Sequence, residues 1–395
     1  MTYEQEYLIH LFSASIREKF PEKPKKALDW HKVKEIASMQ KILPLIYDSV
    51  DKLGKLGPDE ETKKKWQDET LVCAYFFAMQ NEQFYRVFNA AEEKGVELLL
   101  LKGIVLKDLY PVPELRTMGD CDIIVKKEQL DKVKELFFSC GYKIENETEK
   151  AMEFKKENAL KFEVFYSVYS RLNPQKGFNG DMWKDAKPFI KEYVLKPSPE
   201  DFFVHTVAHL TKHIITRGAG IRNIADIVLL IEKTEINWQI VLDKIRLLDI
   251  EKFFYGIMRM AEKYFDLKIP FDCPSIDEHF IDKLIEFMLS NGVYGAEINI
   301  FTFDARKANG KRLYRIKNYM EKLFPPVNKI TKKYEYAKKH PILLPIAWVH
   351  RFFRGLFIEG ITPQSGAQAM KTATKQVKGQ MEILEYFNID YKIDD

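Results

Sequence analysis

Cysteine is scarce in this chain of 395 residues, which contains only 4. These cysteines are scattered, with no CxxC pair, so the sequence predicts neither a disulfide framework nor a zinc site. Long apolar runs are also lacking: residues 341–349 form the longest near the C-terminus, far shorter than the roughly 20 residues that span a bilayer. The first ten residues include Glu4 and Glu6 and no apolar stretch. We therefore expect no signal peptide, no transmembrane segment and a cytoplasmic location.

Internal repeats and low-complexity linkers are also missing from the sequence, which argues against a solenoid or a disordered protein. What is present is an ordinary balance of 46% hydrophobic and 30% charged residues, with 28 Phe and 19 Tyr. That supply of large apolar side chains is enough for well-packed cores. The length allows two or three domains.

One strongly basic segment is hidden by the formal net charge of +4. Residues 306–354 contain 14 Lys or Arg and only two acidic residues, Glu321 and Glu335, which gives +12 and leaves −8 for the rest. This basic block indicates an anionic partner, such as nucleotide phosphates, nucleic acid or an anionic membrane surface. A solvated basic face on helices is the alternative, and the sequence leaves both open. Apolar residues between 343 and 357 allow either a membrane-surface helix or core packing, which we favour.

Three regions differ in their periodicity. Residues 1–94 are predicted to be helical, residues 95–195 mix strands with helices in the order β-α-β-α-β-β, and residues 196–395 are helical again. These patterns predict an α+β protein in which a small mixed β-sheet is flanked by N-terminal and C-terminal helical regions. A long amphipathic helix in the first region is indicated by Leu71, Ala74, Tyr75, Ala78, Phe84, Phe88 and Ala91.

The stretch from Leu98 to Val125 carries the strongest functional signal. Asp120 and Asp122 lie two positions apart on a predicted strand, so their side chains point to the same face. Two carboxylates this close repel each other and are best tolerated with a divalent cation between them. The pattern predicts a site for two Mg²⁺ ions, as metal-assisted nucleotidyl transfer requires. The alternative is an exposed acidic pair that forms a salt bridge with Arg116.

A two-metal site normally needs a third carboxylate, for which Glu163 is the candidate. It lies among strand-forming residues that are predicted to belong to the same small sheet, where it could face the aspartate pair. The alternative is a solvent-facing strand residue beside Lys161, and the sequence leaves the two equally open.

The Lys102–Gly103 pair stands where a predicted strand turns into a helix. Backbone N–H groups at such a turn can bind phosphate, glycine allows close approach, and Lys102 adds a positive charge. The alternative is a tight turn that simply needs glycine. Arg116 could either clamp a phosphate or hold Asp120 in place, and the sequence does not separate these roles.

Three histidines, His205, His209 and His213, recur every four residues on a predicted helix and so share one face. They could bind a transition metal, but a polar seam between domains is the interpretation we favour. Arg222 and Asp226 are also four apart and are expected to pair with each other on their helix.

Over roughly residues 70–235 the chain resembles the bacterial "uncharacterised nucleotidyltransferase" family of the DNA polymerase β-like superfamily. The residues that carry the resemblance are Leu101-Lys102-Gly103, Tyr110-Pro111, Arg116, Asp120 to Val125, His209, His213, Arg222 and Asp226. The resemblance implies that Asp120 and Asp122 bind metal and that Glu163 is the third carboxylate. It also implies that Gly103 with Lys102 forms the phosphate-binding turn.

The activity implied is Mg²⁺-dependent transfer of an NMP from an NTP to a hydroxyl or phosphate of an unidentified acceptor, with release of pyrophosphate. Two positions depart from the pattern: Ile104 stands where the superfamily usually has serine, and Phe165 stands where family members often have histidine. The alternatives are a non-catalytic nucleotide-binding or regulatory protein, or one that binds nucleic acid or a membrane surface through the basic block.

Overall fold

The computed structural model describes residues 1–166, 182–216, 218–292, 324–327, 330, 334–357 and 378–389, without the side chains of 351–357. The chain forms two compact units, Met1–Tyr294 with Ile383–Asp395, and Gly295–Glu382. The predicted boundaries after residues 94 and 195 fall where the secondary structure changes, and the three-part division stays a prediction.

Helices form the first region, as predicted. They are α1 (Tyr3–Ser15), α2 (Trp30–Met39), α3 (Leu43–Lys52) and the 35-residue α4 (Glu60–Lys94). The side chains of Thr2, Asp29 and Asp59 accept hydrogen bonds from the first turns of α1, α2 and α4, which fixes where these helices begin. Helix α4 ends at Gly95, whose φ of 60° is readily adopted only by glycine.

Only part of the predicted apolar face of α4 packs against the core. Phe84, Phe88 and Ala91 are buried, whereas Leu71 is 61% exposed and Tyr75 is 64% exposed. The periodicity identified the helix correctly, but it could not show which turns are covered by the rest of the protein.

The next region forms a seven-stranded mixed sheet, so the α+β fold class is confirmed. In spatial order the strands are β3 (Lys143–Glu147), β4 (Ala151–Lys155), β5 (Lys161–Phe165), β2 (Asp120–Ile124), β1 (Leu98–Leu100), β7 (Val194–Lys196) and β6 (Lys187–Lys191). The pairs β2–β5 and β1–β7 are parallel and the other neighbours are antiparallel. The short helix α5 (Gly103–Leu106) and helix α6 (Leu130–Ser139) follow β1 and β2.

The two faces of the sheet differ in character. One face packs into the main core, where Phe162 of β5 contacts Phe84 of α4 and Phe137 of α6, with ring centroids 5.7 and 5.1 Å apart. The opposite face carries a small apolar cluster that includes Leu99 and Ile124. Because side chains alternate along a strand, the acidic residues of β2 and β5 project from this second face.

Between residues 199 and 291, the described part of the chain forms α7 (Pro199–Thr216), α8 (Arg222–Lys233), α9 (Trp238–Leu247), α10 (Glu251–Phe265) and α11 (Glu278–Asn291). Their apolar faces join α1–α4 and the sheet in one core. No helix among the described residues is long and apolar enough to cross a membrane.

The second unit contains α12 (Glu335–Lys339) and α13 (Leu344–Phe357). Ala347 packs with Ile330 and Tyr334, while Ile346 and Val349 are exposed. Core packing therefore explains only part of the apolar pattern that was predicted for α13. Of the basic block, residues 306–323, 328–329 and 331–333 lie outside the described residues.

Candidate active site

Three carboxylates share the second face of the sheet. Asp122 of β2 pairs directly with Glu163 of β5 in the parallel ladder, and Asp120 lies two residues before Asp122. Side chains of directly paired residues lie on the same face, as do those of residues two apart on one strand. The structure thus brings together the three acidic residues that the sequence nominated.

Two lysines form ion pairs with these carboxylates. Lys102 Nζ lies 2.7 Å from Asp122 Oδ1, and Lys161 Nζ lies 2.7 Å from Glu163 Oε1. Lys161 also reaches Glu153 Oε2 on the adjacent strand β4, at 3.4 Å. The ion pair between Glu163 and Lys161 that the sequence left open is therefore present, on the same face as the aspartates.

Asp120 shows the electrostatic consequence of this crowding. Burial, followed by the charge of Asp122, raises its pKa from 3.8 to about 6. Glu163 raises the pKa further, while Lys102 and Lys161 oppose the increase. The two lysines therefore neutralise the acidic cluster only in part, and an added cation would relieve the remaining repulsion.

The fit of a divalent cation rests on the chemistry of these donors. Within the described parts of the chain, no three His, Cys, Asp or Glu side chains converge as a preformed metal site. The carboxylates of Asp120, Asp122 and Glu163 are nevertheless the hard oxygen donors that Mg²⁺ prefers. Asp122 Oδ1 is buried, and its contact with Lys102 lacks the angles of a hydrogen bond. These donors fit Mg²⁺, and Asp120, Asp122 and Glu163 are the residues that would hold it.

The turn between β1 and α5 is conformationally unusual. Lys102 has a φ of 52° and a ψ of −126°, a backbone conformation that residues other than glycine rarely adopt. It directly precedes Gly103. A Cβ on Gly103 would lie 2.9 Å from Met118 Sδ and 3.0 Å from Arg116 Nη1. A side chain at position 103 would therefore have to displace Met118 or Arg116, while the strained Lys102 contacts Asp122.

A buried ion pair anchors the loop that leads to β2. Arg116 donates from Nε to Asp226 Oδ1 at 2.9 Å and from Nη2 to Asp226 Oδ2 at 2.7 Å, and Tyr110 Oη also donates to Oδ1, at 2.8 Å. Although burial alone lowers the pKa of Arg116, the charge and hydrogen bonds of Asp226 raise it above its ordinary value. Arg116 is thus a fixed cation, and helix α8 supplies its counterion.

Arg116 and Arg222 both connect helix α8 to the loop before β2. The bidentate fork of Arg116 binds Asp226 rather than Asp120. Arg222 donates from Nη1 to the carbonyl and hydroxyl oxygens of Thr117, at 2.9 and 2.8 Å. The physical reason is that Arg116 is almost fully buried and needs a carboxylate at that depth. Helix α8 therefore holds two consecutive residues of the loop before β2.

The histidines of α7 lie near the same site. His209 Nε2 and His213 Nε2 are 3.2 Å apart, and the rings of His205 and His209 stack with centroids 6.2 Å apart. Burial, and then the charge of Lys102, lowers the pKa of His205 to about 3 and that of His209 well below its ordinary value. The contact between His209 and His213 agrees with the expected polar seam of hydrogen-bonded histidines, and the position of that seam between domains stays a prediction.

The region that contains this site matches a known protein family. A family model described as an uncharacterised nucleotidyltransferase matches residues 26–266, which is more than half of the chain. The chain belongs to this family. The matched region contains the three carboxylates, the Lys102–Gly103 turn and the residues of α7 and α8 that surround them. Family membership supports a role in nucleotidyl transfer.

Two solved structures are similar to the chain. One is a tRNA-processing enzyme in an apo form, with 14% identity, a TM-score of 0.24, and coverage of 75% of this chain and 96% of that chain. The other is a tRNA nucleotidyltransferase in complex with a primer tRNA and an incoming ATP analogue, with 15% identity, a TM-score of 0.23, and coverage of 77% and 100%. The comparison with curated proteins gave no match.

The surroundings of the site contain features that sequence reasoning did not find. The proximity of His205 to Lys102 and the contact of Asp226 with Arg116 join residues about one hundred positions apart. Helical spacing marked His205 and Asp226 as residues of interest, but it gave no signal for their long-range partners.

Proposed function

We propose that the protein is a Mg²⁺-dependent nucleotidyltransferase that moves an NMP from an NTP to a hydroxyl or phosphate oxygen of an acceptor. The observation that carries this proposal is the direct pairing of Glu163 with Asp122 across β2 and β5, on the face that also bears Asp120. Three clustered carboxylates with a partly uncompensated charge fit a function that uses cations.

The roles proposed for the site residues follow from their positions. Asp120 and Asp122 would hold both metal ions, and Glu163 would hold the one nearer the acceptor. When bound, the ions neutralise the triphosphate and activate the attacking oxygen. Lys102 would bind the β and γ phosphates together with the backbone N–H groups of the Gly103 turn.

Arg116 is bound in a way that disfavours the phosphate-clamping role that the sequence left open for it. Two of its nitrogens are bound to Asp226, and Nη1 lies beside Gly103. We propose that it positions the Lys102–Gly103 turn and the start of β2 rather than clamping a phosphate.

The proposed transfer needs no reagent other than the NTP and the acceptor. An oxygen of the acceptor forms a bond to the α-phosphorus of the NTP, and the bond from that phosphorus to the bridging oxygen breaks. Pyrophosphate leaves, and the acceptor hydroxyl loses its proton to solvent or to a nearby base. The substrates are therefore an NTP and the acceptor. We also propose a cytoplasmic location, where NTPs are abundant.

A pyrophosphate-release assay tests the proposal. The full chain is incubated with Mg²⁺ and each of the four NTPs, with small-molecule alcohols, phosphorylated metabolites and RNA as acceptors. We expect release with at least one acceptor and its loss in Asp120→Asn, with an unchanged far-ultraviolet circular dichroism spectrum. Full turnover by Asp120→Asn would refute the assignment of the site.

A nucleotide-binding protein without turnover is the second candidate. It is favoured by the ion pairs that Lys102 and Lys161 make with the carboxylates, and by Ile104 and Phe165 at positions where the resemblance implies a hydroxyl and an imidazole. Thermal stabilisation by Mg²⁺ and an NTP, without pyrophosphate release across the whole panel of acceptors, would identify this function.

A further inference from the structure

A stripe of large apolar side chains lies exposed along the middle of helix α4. It consists of Leu71, Val72, Tyr75, Phe76 and Met79, which are between 38% and 64% exposed. Their spacing places them on one side of the helix, because residues three and four apart are neighbours on a helical surface. The side of α4 that faces the core is formed by other residues, including Phe77, Phe84 and Phe88. We call the five exposed residues the α4 stripe.

The area of the α4 stripe is large for a surface without a partner. Aromatic side chains expose up to about 200 Å² each, so the five residues together leave about 500 Å² of mainly apolar surface in water. Contiguous exposed patches of about 300–600 Å² commonly mark interaction sites. The two aromatic rings of the stripe, Tyr75 and Phe76, contact each other with centroids 6.0 Å apart.

Charges of opposite sign stand at the two ends of the α4 stripe. Asp68 lies one turn before Val72, and Glu82 and Arg86 lie one and two turns after Met79, so all three continue the same seam of alternating three- and four-residue steps. Asp68 contacts Lys64 at 3.1 Å and Arg86 contacts Glu82 at 2.6 Å, both as exposed pairs within the helix. Such pairs contribute only about 0.3–0.5 kcal/mol each and are easily exchanged for better partners.

We propose that the α4 stripe is a dimer interface and that it binds the α4 stripe of a second copy of this chain in antiparallel orientation. When Tyr75 of one copy is level with Met79 of the other, Asp68 is level with Arg86. The two-fold axis then generates both contacts twice, as an isologous interface requires.

A second copy accounts for these features better than other partners. Nucleic acid is disfavoured because the α4 stripe itself carries no cation that could bind a phosphate. An unrelated protein would not require an acid at one end of the seam and a base at the other. The dimer would bury about 1,000–1,200 Å² in total, at the lower limit for specific interfaces, so we expect micromolar affinity.

Sedimentation velocity on the full chain, between about 1 and 100 µM, tests the interface. We expect a reversible monomer–dimer equilibrium, and in Tyr75→Glu a dissociation constant at least about tenfold higher. The matched control is Ile240→Glu on α9, which places the same charge on another exposed apolar position and should leave the equilibrium unchanged. Because Tyr75 and Ile240 are both exposed, each variant should keep the circular dichroism spectrum and melting temperature of the parent protein.

A charge exchange tests the antiparallel register. Asp68→Arg alone and Arg86→Asp alone should each weaken the dimer by about tenfold, since each opposes like charges twice, and the double variant should restore it. Monomers at every concentration, a dimer that survives Tyr75→Glu, or a double variant no better than the single ones would overturn the proposal. Monomers that bind phosphatidylserine-containing vesicles through Tyr75 would overturn it in favour of a membrane surface.

Discussion

Asp120→Asn should stabilise the metal-free protein even though it removes a residue of the candidate site. The pKa of Asp120 is raised from 3.8 to about 6 by burial and by Asp122, so the folded protein holds this proton more tightly than the unfolded chain does. A tenfold difference in proton affinity corresponds to about 1.4 kcal/mol, so ionised Asp120 destabilises the fold by about 3 kcal/mol at neutral pH. Asparagine has almost the same shape and no charge, and should recover most of that free energy.

The pH dependence gives the sign of this effect. Because the folded-state pKa is the higher one, the stabilising contribution of protonated Asp120 is fully present below pH 3.8 and is lost as the pH rises through about 6. The free energy of unfolding of Asp120→Asn should therefore exceed that of the parent protein above about pH 6, and the difference should vanish near pH 4. Protonation of the buried histidines affects both proteins equally, so the difference isolates Asp120.

Urea denaturation in the presence of EDTA, followed by circular dichroism, measures this difference. Glu149→Gln is the control, since Glu149 is an exposed acid in the turn between β3 and β4. Addition of Mg²⁺ should stabilise the parent protein and leave Asp120→Asn nearly unchanged. If Asp120→Asn were no more stable than the parent protein at neutral pH, the ionised Asp120 would not be destabilised by its burial and by Asp122.

Three further substitutions test the surroundings of the site by urea denaturation. His209→Gln should reduce the loss of stability on acidification, because a folded-state pKa below 6.5 means that stability is present above that pH and falls by about 1.4 kcal/mol per pH unit below it. An unchanged acid profile would contradict a buried neutral histidine. Asp226→Ala should cost about 3–5 kcal/mol by leaving the buried Arg116 without a counterion, whereas Asp226→Asn should cost less; equal, small losses would count against the anchor. Gly103→Ala should cost about 1–3 kcal/mol through its clash with Met118 Sδ, and adding Met118→Ala should recover part of it, a rescue that a purely conformational effect would not show.

Much of the fold could be predicted because local signals and long-range packing agree there. Strand β2 alternates acidic residues with buried Cys121 and Ile123, and α6 buries residues at helical spacing, so each pattern shows which face is covered. Strands β3, β6 and β7 were not predicted. Strands β3 and β6 occupy the two edges of the sheet and are mostly exposed, so they lack the apolar alternation that marks a half-buried strand. Strand β7 is buried, but its three residues are too few to show a period.

Part of the candidate site could likewise be predicted from the sequence, and part of it could not. Asp120, Asp122 and Glu163 could be nominated because carboxylates on strands of one sheet carry both a chemical and a periodic signal. The partner of Arg116 could not be predicted, since the bond to Asp226 spans 110 positions and depends on how α8 packs against the loop before β2. The positive φ of Lys102 was equally hidden, because tertiary contacts impose it against the preference of the residue.

The most direct test of metal-dependent nucleotidyl transfer at this site compares two neighbouring glutamates. Glu163 and Glu153 face each other across β5 and β4 and share Lys161, but only Glu163 also pairs with Asp122. With the acceptor that gives the highest pyrophosphate release, we expect Glu163→Gln to reduce Mg²⁺-dependent turnover by about 100-fold or more, and Glu153→Gln to remain within about threefold of the parent protein. Equal losses in the two variants, or full activity of Glu163→Gln, would contradict the assignment of the third carboxylate and with it the proposed site.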